Sequence, residues 1–196
     1  SRALRLAEAA STGRLPLASI WSELSATDQA LGRYRDAERL ARLALEEHQN
    51  AFGPASVRAA ISLNNLGTVL WAEGRAAEAE PLIRQAIQIW QSPEAPKRVE
   101  LIKALSNLAS ICRFDGRRSE AKALYDQALA LSKQDPAAAA PAMGSLLNNL
   151  ALYYSEEHNY AAAETAARQA LEAASKISGP DSAPAAVVMT TLANLD

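Results

Sequence analysis

Apolar residues follow helical spacing along this chain, as in Ile61, Leu63, Leu66, Val69 and Leu70, then Ala79, Leu82, Ile83, Ala86, Ile87 and Trp90. The pattern itself returns at a constant interval. Gly32, Gly74 and Gly116 stand 42 residues apart (74 − 32 and 116 − 74), and His158 lies one step further. Leu24, Leu66, Leu108, Leu150 and Leu192 keep that phase, as do Ala37, Ala79, Ala121 and Ala163, and Ala44, Ala86, Ala128 and Ala170. Such self-similarity predicts stacked repeats, each burying its apolar face against its neighbours.

Each unit is predicted to be two antiparallel helices joined at Gly32, Gly74 or Gly116, where a residue without a Cβ takes a positive φ and ends the first helix. His158 and Asn159 replace Gly-Arg in the fourth unit and read as turn variation, since both residue types tolerate the left-handed region. Pro54, Pro96 and Pro180 share a phase, with Ala138 in that column between Pro136 and Pro141. A proline in a helix's first turn sacrifices no hydrogen bond, so these prolines mark predicted helix starts, and the tract 136–141 is predicted as a loop leading into a helix. Ser25, Gly67, Ala109, Ala151 and Ala193 each follow a phased leucine. Small side chains there let two helix backbones approach while the leucines fill the adjoining core.

Composition agrees with helices packed on helices: 49% of the 196 residues are apolar, carried by Ala and Leu with few aromatics. A net charge of −2, from 20 basic and 22 acidic residues, recruits neither nucleic acid nor an anionic membrane by charge alone. Cys112 is the single cysteine, which excludes an intrachain disulfide and a cysteine metal cluster and suits a small buried side chain. No run reaches the roughly 20 apolar residues of a spanning helix, so a soluble protein is expected, with the cytoplasm favoured. The chain opens at Ser1 without a methionine, and a removed signal sequence would leave no trace. The excess of Arg over Lys and the abundance of Ala suggest a bacterial, GC-rich origin.

Leu63-Asn64-Asn65-Leu66-Gly67, then Gly74, Ala79-Glu80 and Ala86-Ile87, resembles the tetratricopeptide repeat, and the 42-residue period resembles its kinesin-light-chain type. Residues 147–153 with Tyr160, Ala163-Glu164 and Gln169-Ala170-Leu171 form the best copy. Leu105 to Ala109 with Gly116 and Ala121 forms another, and Trp21, Leu24, Gly32, Ala37-Glu38 and Ala44-Leu45 a first without the paired asparagines. Asp28 stands in that first copy where Leu70, Cys112 and Tyr154 stand later. The resemblance implies an all-α, right-handed superhelical array of antiparallel helix pairs. It implies one domain over 1–196: the end of a preceding repeat at 1–13, four repeats at 14–53, 54–95, 96–137 and 138–179, and the first helix of a fifth at 180–196.

The family's first helices line a concave groove that holds a peptide, and its groove asparagines often bond the peptide backbone. By resemblance the groove positions are Asn64, Asn65, Thr68 and Trp71, then Lys103, Ser106, Asn107, Ser110 and Arg113, then Asn148, Asn149, Leu152 and Ser155. Asn65, Asn107 and Asn149 make a ladder of amides, each both donor and acceptor. The alternative is that these amides bridge neighbouring helices or are merely solvated. Some relatives clamp a terminal carboxylate, but only Asn65 and Lys103 match that set. Ser22 and Ala26 stand where a Lys and an Asn are needed, and Asn107 replaces the Arg, so a chaperone tail is not the expected ligand.

No phosphate loop, Gly-x-Ser-x-Gly elbow or His-Glu-x-x-His helix occurs. His48 and His158 lie in different repeats without companion ligands, and Glu46-Glu47 and Glu156-Glu157 diverge as neighbours on a helix. Trp90 reads as packing and Trp71 as packing or a groove anchor. The expected protein is therefore no enzyme and holds no cofactor or metal; it binds a protein or peptide, with no nucleic acid or membrane as partner. A sensing or docking module of a larger signalling protein or enzyme is the competing expectation. Residues 3–8 resemble the close of a second helix and Val187, Val188, Met189, Leu192 and Leu195 a further first helix. The natural protein is therefore expected to continue at both ends, and this chain to self-associate through exposed terminal helices.

Overall fold

The computed structural model describes residues 17–92 and 98–195. The helix end expected at residues 3–8 and the proline column at Pro96 lie outside them. The described residues form nine helices: α1 (17–30), α2 (Tyr34–Phe52), α3 (Val57–Ala72), α4 (Ala76–Trp90), α5 (Arg98–Phe114), α6 (Arg118–Gln134), α7 (Pro136–Glu156), α8 (Tyr160–Ser178) and α9 (Ala183–Ala193). They fall into two compact units, Ser1–Pro96 and Lys97–Asp196.

One hydrogen bond recurs at four turns and explains the 42-residue column of Gly and His. Arg33, Arg75, Arg117 and Asn159 each donate their backbone N–H to the carbonyl five residues back, on Asp28, Leu70, Cys112 and Tyr154, at 2.8 to 2.9 Å. This six-to-one bond requires a left-handed residue just before the donor. Gly32, Gly74 and Gly116 supply it at φ of 73°, 79° and 74°, and His158 at 57° is the one described non-glycine residue with positive φ. The bond uses only the Asp28 carbonyl, so the polar side chain in that column leaves the turn intact.

The prolines act differently from expectation. Pro54 and Pro180 lie in the turns ahead of α3 and α9, and the helices start after Ser56 and Ser182, whose hydroxyls accept from the N–H groups of Ala59 and Ala185. The serine supplies the cap, and the proline stiffens the approach to it. Nor is 136–141 a loop. Pro136 opens α7, the Asp135 carboxylate caps the Ala138 N–H at 3.1 Å, and the alanines and Pro141 are helical. Alanine has the highest helix propensity, and with a cap and a proline at the first position the helix starts before the tract.

In the first unit α3 packs on α4 at close range. A Cβ built on Gly67 would lie 2.6 Å from Ile83 Cγ1 and 3.2 Å from the Ala79 carbonyl oxygen, so glycine is what permits the approach. Ser25, in the same column of α1, is buried and donates its hydroxyl to the Ala37 carbonyl at 2.8 Å, joining α1 to α2. In the second unit α5 packs on α6 and α7, and α8 on α7 and α9. Leu105, Leu108, Ile111, Cys112 and Tyr125 are fully buried, and Leu147, Ala151, Ala166, Ala167, Ala170 and Val188 form a core with Met143 and Leu192 at its margin.

Leu66, Leu108 and Leu150 are buried as their phase predicts, and so is Trp90, but Leu24 is 47% exposed. Its phase is right and its surroundings are not: α1 is the first described helix, and it packs through Ala18 and Ser25. Ala193 is likewise exposed, in the last described helix.

Gly67→Ala is expected to destabilise the protein by about 1–3 kcal/mol through overpacking on Ile83. In an Ile83→Ala background the same change should stabilise by up to about 1 kcal/mol, the helix propensity of alanine over glycine. A double-mutant cycle of denaturant midpoints measures the reversal, and equal effects in both backgrounds would contradict it.

Candidate functional site

The positions expected to line a groove belong to α3 in the first unit and to α5 and α7 in the second. Four of them are buried: Asn64, Ser106, Ser110 and Asn148. Asn65, Thr68, Trp71, Lys103, Asn107, Arg113, Asn149 and Leu152 are half-buried, as is Ser155. In the first unit the Gln29 amide of α1 donates to the Thr68 carbonyl of α3 at 3.2 Å. Thr68 turns its hydroxyl back to the Asn65 carbonyl at 2.8 Å.

The second unit builds more. The Asn149 amide donates to the Ser106 hydroxyl at 3.0 Å, tying α7 to α5, and the Thr191 hydroxyl donates to Asn148 Oδ1 at 2.9 Å, tying α9 to α7. Thr191 stands in the ladder column one period beyond Asn149, and each bond reaches back 43 residues. Arg113 pairs with Glu156 across the same interval. Within the second unit each first helix therefore meets its successor with one residue of offset beyond the period. Sequence reading missed Thr191, whose phase was the available signal.

Ser110 turns away from this row. Its hydroxyl lies 3.2 Å from the Tyr125 hydroxyl of α6 and donates to the Ser106 carbonyl. Burial pushes the Tyr125 phenol up from its ordinary range. Both cations of the row face carboxylates: Lys103 lies 3.8 Å from Glu100, and Arg113, most of whose side chain is buried, pairs with Glu156. Arg75 sits at a turn, outside the row, and contacts Glu38, Glu73 and Glu78, each at 2.7 Å. It holds the Glu38 carboxyl below the usual range and so works as a structural hub.

His48 is buried, with Nδ1 2.7 Å from the Ser62 hydroxyl of α3 and Nε2 without a partner, and His158 Nδ1 lies 3.0 Å from the Tyr160 hydroxyl. Among the described residues no three His, Cys, Asp or Glu side chains gather as a metal site would need, and no helix is long and apolar enough to cross a membrane.

Paired helices closed by one repeating turn bond define an α-helical repeat protein. The chain belongs to the tetratricopeptide repeat family: models described as Tetratricopeptide repeat match residues 16–92, 58–134 and 144–183. Repeats of this family support protein–protein interaction scaffolds. No curated protein matches the chain. Its fold is similar to that of BtubC (BKLC) from P. vanneervenii, at 22% identity and TM-score 0.71 over 99% of this chain and 77% of that one. It is similar also to a putative kinesin light chain with nearly identical TPR-like repeats from Podosopora anserina, at 18% identity and TM-score 0.66, covering 93% and 86% of the two chains. Aspartyl phosphate phosphatase F from Bacillus subtilis shares the fold at 12% identity and TM-score 0.68, over 92% of this chain and 50% of that one.

Burial, with Arg58 beside it and against the opposing charge of Glu47, holds the His48 imidazole below its ordinary pKa. An imidazole that resists protonation in the folded state stabilises the protein fully above the unfolded value of about 6.5 and loses that contribution as pH falls through the lower folded value. The thermal midpoint is expected to fall between pH 7.5 and 5.5, and less so in His48→Gln. A midpoint drop of the same size in both proteins would remove His48 as its cause.

Proposed function

We propose that the chain is a non-catalytic scaffold that holds an extended peptide along the first helices of its second unit, with Asn149 as a fixed main-chain contact. The carrying observation is the Asn149 side chain: its Nδ2 is held by Ser106, which orients Oδ1 as an acceptor at a half-buried position. An amide locked in this way loses little rotamer freedom when a peptide N–H arrives. Lys103, Asn107, Arg113 and Leu152, all half-buried, are the further contacts proposed there, and the half-buried Asn65, Thr68 and Trp71 are proposed as contacts of the first unit by itself. Buried Ser106 holds Asn149 directly, and Asn64, Ser110 and Asn148 are buried too. The carboxylates facing Lys103 and Arg113 argue against a phosphate track, and so against nucleic acid as partner.

Peptides selected from a displayed random library on the whole chain provide the ligand. Asn149→Ala is expected to weaken the selected peptides about tenfold, the loss of about 1.4 kcal/mol. It should lower stability by about 1 kcal/mol through the lost bond to Ser106. Ser106→Ala frees the amide without removing it and should weaken binding less. Unchanged affinity in Asn149→Ala, or a library without binders, would overturn the proposal.

A second surface supports self-association. Leu17, Ile20 and Leu24 are all exposed on α1 and form an apolar stripe. Sedimentation should show mass rising with concentration, and Ile20→Glu should suppress it. A constant monomer mass would refute it.

A further inference from the structure

Beside Asn149 the first-helix row is hollow. Gly144 and Asn148 of α7, Ala174 of α8 and Pro184, Val187 and Val188 of α9 line a cavity of about 230 Å³, with Ser145 and Asn149 at its side. Ala174 and Val188 are buried, and Val187 is 58% exposed. The volume is below the roughly 300 to 1,000 Å³ of pockets that take a free drug-sized molecule, and suits one side chain delivered by a longer ligand.

The charge around it selects that side chain. From Pro136 to Ser155 and from Ser182 to Leu195 the sequence contains no Asp, Glu, Lys, Arg or His. The ionic residues of α8 nearest the chain's end answer one another, Lys176 with Glu172 at 2.6 Å and Arg168 with Glu164 at 2.7 Å, and none of them lines the cavity. A charged side chain placed there would lose its hydration without gaining a counter-charge, whereas an aliphatic one would cover the Val187 and Pro184 surface. The Ser145 hydroxyl, which donates to the Ala142 carbonyl at 3.1 Å, and Asn149 Oδ1 leave acceptors beside the cavity for main-chain N–H groups.

Building on the peptide-scaffold reading, we infer that this cavity is a specificity pocket for one uncharged aliphatic residue of the bound peptide, of leucine or isoleucine size, within a stretch lacking charged neighbours. The pocket sets sequence preference, and Asn149 bonds the backbone beside it.

Two measurements separate this inference from the reading it rests on. In the first, protein with isotope-labelled valine methyl groups is titrated with N-acetyl-leucine methylamide and with its aspartate and lysine counterparts. The Val187 and Val188 signals are expected to shift saturably with the leucine compound and about tenfold more weakly or not at all with the charged ones, while Val57 and Val69 stay still. Val187→Asp, at an exposed position, should abolish the shift with an unchanged thermal midpoint, and Val187→Ile should keep it. In the second, library-selected peptides should share an aliphatic residue in an uncharged stretch and lose affinity about tenfold in Val187→Asp.

Equal shifts with the charged compounds would overturn the inference. So would charged consensus peptides that bind Val187→Asp normally, which would leave the scaffold reading standing. Valine shifts with the leucine compound but no selected peptides would uphold the pocket and sink the scaffold reading. Valine signals that move with protein concentration alone, together with a rising sedimentation mass, would make a second copy of this chain the occupant and overturn the inference.

Discussion

Close approach of paired helix backbones is the constraint from which the rest of this protein follows. Gly67 leaves no room for a Cβ against Ile83, and Ala37, Ala79, Ala121 and Ala163 are wholly buried in the second helices. At such separations a methylene more or less is felt as strain or as a void, so these positions stay small while the leucines beside them fill the volume. The turn geometry serves the same end. A six-to-one bond with a left-handed residue reverses the chain within three residues and returns the second helix onto the first.

Polar bonds then set how one first helix lies on the next. Asn149 with Ser106, Thr191 with Asn148, and Arg113 with Glu156 share one interval, so a single offset is repeated along the second unit. Buried polar groups in an alanine-rich interface cost free energy wherever they are unpaired, which penalises any other offset. Two of the amides read as ligand contacts, Asn148 and Asn149, are thus helix bridges. An amide has more hydrogen-bonding capacity than one bridge consumes, so bridging is compatible with the ligand contact proposed for Asn149.

The same economy leaves surface. Alanines at the contacts keep the helices close but cover little, and Val187 on α9 remains open beside Gly144 and Ala174. The stretches 136–155 and 182–195, which carry no ionic residue, beside an α5 that carries Lys103 and Arg113 give the second unit two chemically different surfaces. A ligand crossing both would meet them in order.

The sequence by itself determined the helix pairs, the turns and the buried small-residue columns, because each rests on local rules: 3.6-residue periodicity, the φ freedom of glycine and the size of side chains. It placed the proposed groove positions on α3, α5 and α7 but did not tell which of them are buried. Ser110 shows why: Tyr125 on α6 offers a hydroxyl, and the side chain turns to it. Leu24 makes the converse point, a core-type residue exposed because burial depends on what packs opposite. The helix over 136–141 was misread because two prolines outweighed a cap and four alanines. The offset between first helices, the Thr191 bridge and the cavity beside Val187 were decided only by tertiary structure, since each depends on distances between residues some forty positions apart, which periodicity aligns in phase but does not place in space.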